Sequence, residues 1–356
     1  MESALLNETI RNMSLIFGSG TFAFLVAMGL TPWFTKQLIK YKIGKNIREN
    51  SISGEKAVFF NELHAKKGGT PTMGGLLIWG TIIFVALVSR IFSAFGFFER
   101  SLLNRKETWI PLFTLATCGL LGLIDDYLNV KGIGHTKGLN VKLKLLWLTI
   151  FSAIGAYWFY SKLGFSSVSI PIPGFNSWEI GIWYIPLFIL VIISTANAVN
   201  FTDGLDGLAS GLLIFAFGAF GIIAYAKGLL ILTALCAVII GALLAFLWFN
   251  IPPAKFYMGD TGSLALGATL GVIAMLTDEA LILPIVGFVF VIETLSVIVQ
   301  LLSKKFFKRK VFLIAPIHHH FEKKGWQEFT VVMRFWIIGA IFAAFGTILG
   351  LLNITL

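Results

Sequence analysis

Ten long apolar segments divide this chain of 356 residues, and they constrain its fold more than any other feature. A helix needs about 20 apolar residues to cross the hydrocarbon core of a membrane, and each segment is close to that length. Their hydrophobicity is continuous rather than alternating, which favours helices over the strands of a barrel. The sequence therefore predicts an all-α polytopic membrane protein with about ten transmembrane helices, near residues 15–39, 70–90, 108–127, 142–160, 182–199, 206–226, 229–249, 261–277, 280–302 and 330–352.

Composition excludes the main alternatives to a membrane fold. Charged residues make up 13% of the chain and hydrophobic residues 57%, whereas a soluble domain carries about 25% charged residues. We therefore expect membrane lipid to be the principal solvent, and neither disorder nor nucleic-acid binding fits. Cys118 and Cys236 lie inside apolar segments, so we expect no disulfide framework. The polar N-terminus lacks a small-residue cleavage site, so we expect no removable signal peptide.

Basic residues are unevenly divided between the two sides of the predicted bundle. The loops that follow odd-numbered segments hold 20 of the 28 Lys and Arg residues, and the loops and termini of the opposite side hold seven. Cytoplasmic loops carry the excess of Lys and Arg, so both termini are predicted to lie outside. Residues 166–182 surround a Pro-Gly pair and predict a short external β-hairpin. The chain, 1–356, is predicted to form one integral membrane domain, with cytoplasmic loops near 40–69, 127–141, 200–206, 250–260 and 303–329.

Acidic and imidazole side chains gather on the predicted cytoplasmic side. Five of the six Asp residues lie at cytoplasmic ends of segments, Asp278 being the exception, and all five His residues lie in cytoplasmic segments. Charged groups in membrane proteins are costly and tend to mark function. Their collection on one face, from loops distant in sequence, predicts an active site on the cytoplasmic face rather than a pore at the membrane midplane.

Asp125 and Asp126 are adjacent at the end of the third segment. Two neighbouring carboxylates repel each other, and the C-terminus of a helix is an unfavourable place for negative charge. A divalent cation or a basic neighbour would resolve both problems. The alternative interpretation is a pair of turn residues that face water.

Two further runs combine acidic, amide and glycine residues. The run 197–207 has more of them than capping of the sixth segment requires, and these groups suit ribose hydroxyls and base edges. The run 250–263 contains Gly-Asp-x-Gly-Ser around Asp260, which favours a metal or phosphate turn, with a helix cap as the alternative. Tyr257 and Phe256 offer aromatic faces on which a planar base could stack.

Basic and imidazole groups complete the set. His318, His319 and His320 are consecutive, and contact with a phosphate is favoured over a zinc site because neighbouring imidazoles splay apart. Lys67 and Thr72 lie in a glycine- and threonine-rich run that suits an anion, and a capped helix after a solvated basic loop is the alternative. Together the clusters indicate metal-assisted chemistry on a nucleotide-linked diphosphate at the membrane face.

Five motifs, in this order, resemble those of the polyprenyl-phosphate N-acetylhexosamine-1-phosphate transferases. They are HxxKxxTPTMGG from residue 64, DDY from 125, NAVNxTDGLDGLA from 197, FxMGDxGS from 256 and APxHHH from 315. The triple histidine after Ala-Pro is typical of one branch of that superfamily, the phospho-N-acetylmuramoyl-pentapeptide transferase family. The resemblance covers nearly the whole chain.

The resemblance implies a reaction, a cofactor and a set of site residues. The reaction would be Mg²⁺-dependent transfer of phospho-MurNAc-pentapeptide from UDP-MurNAc-pentapeptide to undecaprenyl phosphate, giving lipid I and UMP at the bacterial cytoplasmic membrane. Asp260 would be the main Mg²⁺ ligand, with Asp125, Asp126 and Asp203 as further candidates, and Asp125 would orient or deprotonate the lipid phosphate. The diphosphate would be lined by Lys67, Thr72, Asn200, Asp203 and His319, the uridine would be held by Gly204, Leu205, Asp206, Asn250 and Tyr257, and other parts of the substrate would meet Gln300, His318 and His320.

Several alternatives stay open. A relative that transfers GlcNAc-1-phosphate to the same lipid would share all but the triple histidine. A transporter for nucleotides or other anions would need internal repeats, which we do not find, and polar groups near mid-span, where Glu293 is the main charge. The lipid phosphate could attack the β-phosphate directly, which we favour, or an Asp could first form a covalent intermediate. The register of Lys66 against Lys67 and the oligomeric state, a homodimer included, are left open.

Overall fold

The computed structural model describes residues 2–44, 69–96, 101–104, 106–133, 138–172 and 177–355. Over these residues the chain is almost entirely helical, which confirms the all-α polytopic fold. Its helices are α1 (Glu2–Lys40), α2 (Gly75–Ala94), α3 (Lys106–Lys131), α4 (Val141–Trp158, continued by a π-helical turn Phe159–Leu163), α5 (Tyr184–Thr202), α6 (Leu208–Ala226), α7 (Leu230–Asn250), α8 (Asp260–Leu276), α9 (Leu283–Val286), α10 (Phe288–Phe307), α11 (Ile317–Lys323) and α12 (Glu328–Thr355).

Every predicted apolar segment is mainly helical in the structure, and nine of the ten correspond to a single helix. Eight of the described helices are long and apolar enough to cross a membrane. The eighth segment forms α8, which is apolar but has 17 residues. The ninth is divided at Gly287, whose φ of −93° and ψ of 26° interrupt the helix between α9 and α10.

The short helix α8 lies at the centre of the bundle. All of its residues from Thr261 to Leu276 are buried, and it packs mainly against α3 and α5. Glycines permit this close packing, because a Cβ on Gly122 of α3 would collide with the backbone of Asp260 and one on Gly267 would lie 2.6 Å from the carbonyl oxygen of Thr195 in α5. The close approach of α3 and α8 places the Asp-Asp pair of α3 beside the first residue of α8.

Helix α3 continues past the predicted end of the third segment. It extends to Lys131, so Asp125 and Asp126 lie more than one turn before the helix end. The macrodipole acts within the last turn of a helix. The expectation that unfavourable helix-end charge acts on these two carboxylates is therefore wrong, and their environment is set by neighbouring helices.

A two-stranded sheet forms where the hairpin was predicted. Strands β1 (Ser167–Ser169) and β2 (Ser177–Glu179) pair antiparallel, with Val168 opposite Trp178. The backbone N–H of Ser169 donates to Asp278 Oδ1 at 3.3 Å, which ties the hairpin to the turn after α8. Burial raises the pKa of Asp278 to about 6, so this carboxylate takes up a proton in mildly acidic solution.

The two ends of the bundle carry separate polar clusters. At the hairpin end, Lys227 Nζ contacts Glu279 Oε1 at 2.7 Å, and Asn353 Nδ2 donates to the same carboxylate oxygen at 3.2 Å. Lys227 and Glu279 lie just after the ends of α6 and α8, and Asn353 lies near the end of α12. The opposite end, where α3 and α5 finish and α4 and α8 begin, gathers the predicted site residues.

Candidate active site

Two carboxylates from distant parts of the chain meet at one lysine. Lys144 Nζ, near the start of α4, donates to Asp125 Oδ2 at 2.7 Å and to Asp260 Oδ2 at 2.6 Å. Asp125 is buried, and its Oδ1 accepts the backbone N–H of Leu139. Asp260 Oδ1 accepts Asn200 Nδ2 from α5 at 2.8 Å. We call Asp125, Lys144, Asn200 and Asp260 the carboxylate cluster.

Asp126 binds the start of α8 instead of Lys144. Its Oδ1 accepts the N–H of Asp260 at 3.2 Å, and its Oδ2 accepts the N–H and the hydroxyl of Thr261 at 3.0 and 2.6 Å. The first N–H groups of a helix have no partner within that helix, so a carboxylate placed there is stabilising. Asp126 thus caps α8 from a neighbouring helix, and the Asp260 side chain faces Lys144 and Asn200 rather than capping its own helix.

Thr72 lies directly beside this cap. Its side chain is buried, and its hydroxyl has no hydrogen-bond partner within the described part of the chain. Gly259, with φ of 72°, fits between Thr72 and Asp126, since a Cβ there would lie 2.7 Å from the Thr72 hydroxyl and would collide with Asp126 Oδ2. Buried hydroxyls are normally bonded, so the Thr72 hydroxyl is a candidate contact for a ligand.

The loop between α5 and α6 is fastened to the loop between α7 and α8. Asp206 Oδ2 accepts the N–H of Ala254 at 3.0 Å. Asn250 Oδ1 accepts the N–H of Gly207 at 3.0 Å, and Asn250 Nδ2 donates to the carbonyl oxygen of Phe256 at 3.0 Å. Asp206 therefore does not cap α6, whose first turn follows Gly207. These bonds give Asp206 and Asn250 a role in shaping the two loops.

The two aromatic residues before Asp260 have different environments. Phe256 is fully buried, and its ring packs on that of Phe246 with centroids 5.4 Å apart. The expectation that Phe256 offers a face for base stacking is therefore wrong. Tyr257 is half-buried, and its backbone N–H and carbonyl oxygen bond to Pro71 and Gly74, each at 2.8 Å. This pairing holds Tyr257 beside the run that contains Thr72.

The three consecutive histidines lie in the short helix α11 rather than in a loop. Each ring uses its Nδ1 for a different partner: His318 is 3.0 Å from Glu293 Oε2, His319 is 2.6 Å from Glu322 Oε2, and His320 accepts the N–H of Leu313 at 3.1 Å. Desolvation and the neighbouring Lys324 lower the pKa of His320, which favours the neutral form of that ring. Among the described residues, no group of three His, Cys, Asp or Glu side chains surrounds one point.

The remaining predicted site residues are placed as follows. Gln300 Oε1 accepts the N–H groups of Val311 and Phe312, each at 3.0 Å, so its side chain organises the segment after α10. Asp203 directly follows α5, and Leu205 is buried. Gly204 lies against the ring of His318. Lys66 and Lys67 lie outside the described residues, and the role of Lys67 stays a prediction.

Sequence reasoning missed three side chains that the structure connects to the site. Lys144 is one of several basic residues in its part of the sequence, and nothing in its position distinguishes it from the others. The one available signal was the prediction that the two adjacent Asp residues need a cation or a basic neighbour. Glu293 stands out in the sequence as the main mid-span charge, but its contact with His318 was not predicted. Glu328 Oε1 accepts the N–H of Asp206 at 2.9 Å. All three pairings join residues far apart in sequence.

The carboxylate cluster fits a divalent cation. Asp125 Oδ2 and Asp260 Oδ2 both bond a single cationic atom, Lys144 Nζ, so they already converge on one cation position. Mg²⁺ is bound by one or two carboxylates together with substrate phosphates. Asn200 holds the second oxygen of Asp260, which fixes the direction of its carboxylate.

Comparison with known proteins identifies the family of this chain. Residues 108–278 match the family described as glycosyl transferase family 4. Proteins described as phospho-N-acetylmuramoyl-pentapeptide-transferase are similar over most of the chain: that of Shouchella clausii is 44% identical over 332 residues, which cover 92% of this chain and 95% of the relative. The chain belongs to the phospho-N-acetylmuramoyl-pentapeptide transferase family. The Geobacillus sp. (strain WCH70) relative is 41% identical over 91% of this chain and 94% of its own length, and that of Anoxybacillus flavithermus is 41% identical over 94% and 98%.

Membership of this transferase family accords with the positions of the motifs. The whole carboxylate cluster lies inside residues 108–278, the range shared with the broader glycosyl transferase family 4. The histidine helix α11 lies beyond it. The family match therefore includes the three Asp motifs and not the triple histidine.

Gly204→Ala is expected to weaken nucleotide binding because an added Cβ would collide with His318 Nε2. The His318 ring is buried and bonded to Glu293, so it cannot move aside easily. We expect UMP affinity, measured by calorimetry, to fall by about tenfold or more. Gly218→Ala is the matched control, since a Cβ there meets nothing within 4 Å. Unchanged UMP affinity in Gly204→Ala would show that the close contact between Gly204 and His318 does not affect nucleotide binding.

Proposed function

We propose that this protein catalyses transfer of phospho-MurNAc-pentapeptide from UDP-MurNAc-pentapeptide to undecaprenyl phosphate, with Mg²⁺ as cofactor, giving lipid I and UMP. The observation that carries the proposal is the convergence of Asp125 and Asp260, from two helices, on one cation position. The relatives described as phospho-N-acetylmuramoyl-pentapeptide-transferase support the choice of donor. Both substrates are anionic, so positioning and neutralisation of charge are the main requirements of the reaction.

Asp260 and Asp125 are proposed to hold the Mg²⁺, with Asn200 fixing Asp260. When bound there, Mg²⁺ would neutralise charge on the donor diphosphate and make its bridging oxygen a better leaving group. The occupied Oδ1 of Asp125 favours a role in cation binding and orientation over proton abstraction, because only Oδ2 faces the cation position. Lys144 would then supply its positive charge to phosphate oxygens beside the cluster.

The reaction itself is proposed to be a direct displacement. An oxygen of the lipid phosphate attacks the β-phosphorus of the donor, a new phosphoanhydride forms, and the bond to UMP breaks. Lys67, Thr72, Asp203 and His319 are proposed contacts of the diphosphate. Tyr257, with the loop Gly204–Asp206 that Asn250 helps to shape, is proposed to hold uridine, where stacking on an aromatic ring is worth about 1–3 kcal/mol per base.

The site is proposed to face the cytoplasm. Its elements are the ends of α3 and α5 and the starts of α4 and α8, which lie on the side of the bundle whose loops together hold 20 of the 28 Lys and Arg residues. That orientation places the β-hairpin and both termini outside a bacterial cytoplasmic membrane. The basic loops would also attract both anionic substrates to the site. We propose that residues 1–356 act as one integral membrane domain.

A release assay in detergent tests the proposed function. The purified protein is supplied with undecaprenyl phosphate, Mg²⁺ and either UDP-MurNAc-pentapeptide or UDP-GlcNAc, and released UMP and the lipid product are measured. We expect UMP and lipid I from the first donor only, and none after EDTA treatment. Release from UDP-GlcNAc alone would assign the chain to a related transferase reaction. Absence of UMP from both donors would overturn the enzymatic proposal and leave a transporter to be tested.

A further inference from the structure

His318 and Glu293 form a buried pair between α11 and α10. His318 Nδ1 lies 3.0 Å from Glu293 Oε2, and both residues are 0% exposed. A carboxylate is costly to bury, and an apolar pair of similar volume would hold two helices together equally well. An ionisable pair kept in the interior of a membrane protein therefore indicates a functional role.

Each member of the pair has a polar atom without a partner. Glu293 Oε1 and His318 Nε2 are buried and make no hydrogen bond within the described part of the chain. More than about 90% of buried polar groups in proteins are bonded, so two such atoms in one pair are unusual. His318 Nε2 lies against Gly204, where an added Cβ would collide with it. The unbonded ring nitrogen thus faces the loop to which the proposed function assigns the uridine nucleotide.

The bond to Glu293 determines which ring nitrogen is available. A carboxylate accepts hydrogen bonds, so His318 Nδ1 carries the proton that Glu293 accepts. Such a carboxylate partner fixes both the tautomer and the orientation of an imidazole. His318 Nε2 is then the atom that remains for a ligand. His319 and His320 differ, because their Nδ1 partners, Glu322 and the N–H of Leu313, lie within seven residues along the chain.

We propose that Glu293 is a positioning residue for the nucleotide, acting through His318, whose Nε2 forms a hydrogen bond with the bound uridine nucleotide beside Gly204. This inference rests on the proposed function, which places the nucleotide at this loop. Glu293 does not contact the nucleotide in this arrangement. It links the orientation of the histidine helix α11 to α10, a connection that spans 25 residues of sequence.

Three substitutions of buried carboxylates test the role of Glu293. Glu293→Met keeps the length of the side chain and removes the acceptor, Glu293→Gln keeps an acceptor oxygen, and Glu279→Gln is the matched control at the opposite end of the bundle, also 0% exposed. We expect Glu293→Met to weaken UMP binding, measured by calorimetry, by about tenfold or more and to raise the KM for UDP-MurNAc-pentapeptide. Glu293→Gln should lie between Glu293→Met and wild type, and Glu279→Gln should match wild type.

A double-mutant cycle separates positioning from helix packing. If Glu293 acts through His318, then Glu293→Met has no further effect on UMP affinity in the His318→Gln background. The inference would be overturned if the double variant lost UMP affinity by the product of the two single losses. It would also be overturned if Glu293→Met bound UMP as tightly as wild type. If Glu293→Met does not fold, the same cycle is run with Glu293→Gln. Failure of the wild-type protein to release UMP would instead overturn the proposed function, so the two failures are distinguishable.

Discussion

Asp260→Asn is expected to lower the rate of UMP release by about a thousandfold or more while the protein stays folded. Removing a group that merely orients a metal ligand already costs about 10- to 100-fold, and Asp260 is proposed to be the ligand itself. Its carboxylate faces Lys144 and Asn200, whereas its backbone N–H is bonded by Asp126. The substitution therefore removes charge from the cluster without removing the cap of α8.

The release assay and a melting experiment in detergent are made on one preparation of Asp260→Asn. Glu279→Gln serves as the control, because it also neutralises a buried carboxylate but lies with Lys227 and Asn353 at the other end of the bundle. We expect Glu279→Gln to retain turnover. An Asp260→Asn protein that is folded and still releases UMP near the wild-type rate would contradict the assignment of Asp260.

Asp125→Asn and Asp126→Ala are expected to fail for different reasons, although the residues are adjacent. Asp125→Asn should abolish turnover, leave UMP affinity near wild type and cost less stability than Asp126→Ala, because the asparagine can still accept the N–H of Leu139 and Lys144 keeps its bond to Asp260. Asp126→Ala should lose turnover and also destabilise the fold. It removes bonds to two backbone N–H groups and the Thr261 hydroxyl, and a hydrogen bond to a charged group contributes about 1.5–3 kcal/mol.

Three measurements compare the two variants: turnover, UMP binding by calorimetry, and melting in detergent. Asp126→Asn gives a graded control, since its amide oxygen can accept one of the N–H groups at the start of α8. Equal melting temperatures for Asp125→Asn and Asp126→Ala would show that the Asp126 cap is not important for stability. Loss of UMP binding in Asp125→Asn would show that this residue builds the nucleotide site as well.

Hydrophobic length predicted the helices because it is a local property. A membrane-spanning helix satisfies its backbone internally, so its existence depends on its own residues. The same reasoning placed five of the six Asp residues at one end of the bundle, since successive spans alternate in direction. The Pro-Gly pair, another local feature, predicted a hairpin at residues 166–182, where the structure pairs β1 with β2. The break at Gly287 and the extension of α3 to Lys131 depend on neighbouring helices and were not predicted.

The division of labour inside the site could not be predicted. Adjacent helical residues point about 100° apart, so Asp125 and Asp126 were expected to face different neighbours, but the sequence does not say which neighbour each one faces. Lys144 reaches Asp260 across 116 residues, a pairing set by the glycine-mediated contact of α3 with α8. Asn250 carries amide groups that suit a base, yet the structure uses them to join two loops.

Binding of a divalent cation tests the central claim most directly. Mn²⁺, standing in for Mg²⁺, is titrated into wild-type protein, Asp260→Asn and Glu279→Gln, and free Mn²⁺ is followed by electron paramagnetic resonance. The account predicts that wild type and Glu279→Gln take up about one equivalent at the Asp125–Asp260 position and that Asp260→Asn does not. Equal uptake by wild type and Asp260→Asn would show that the convergence of these two carboxylates does not form the metal site.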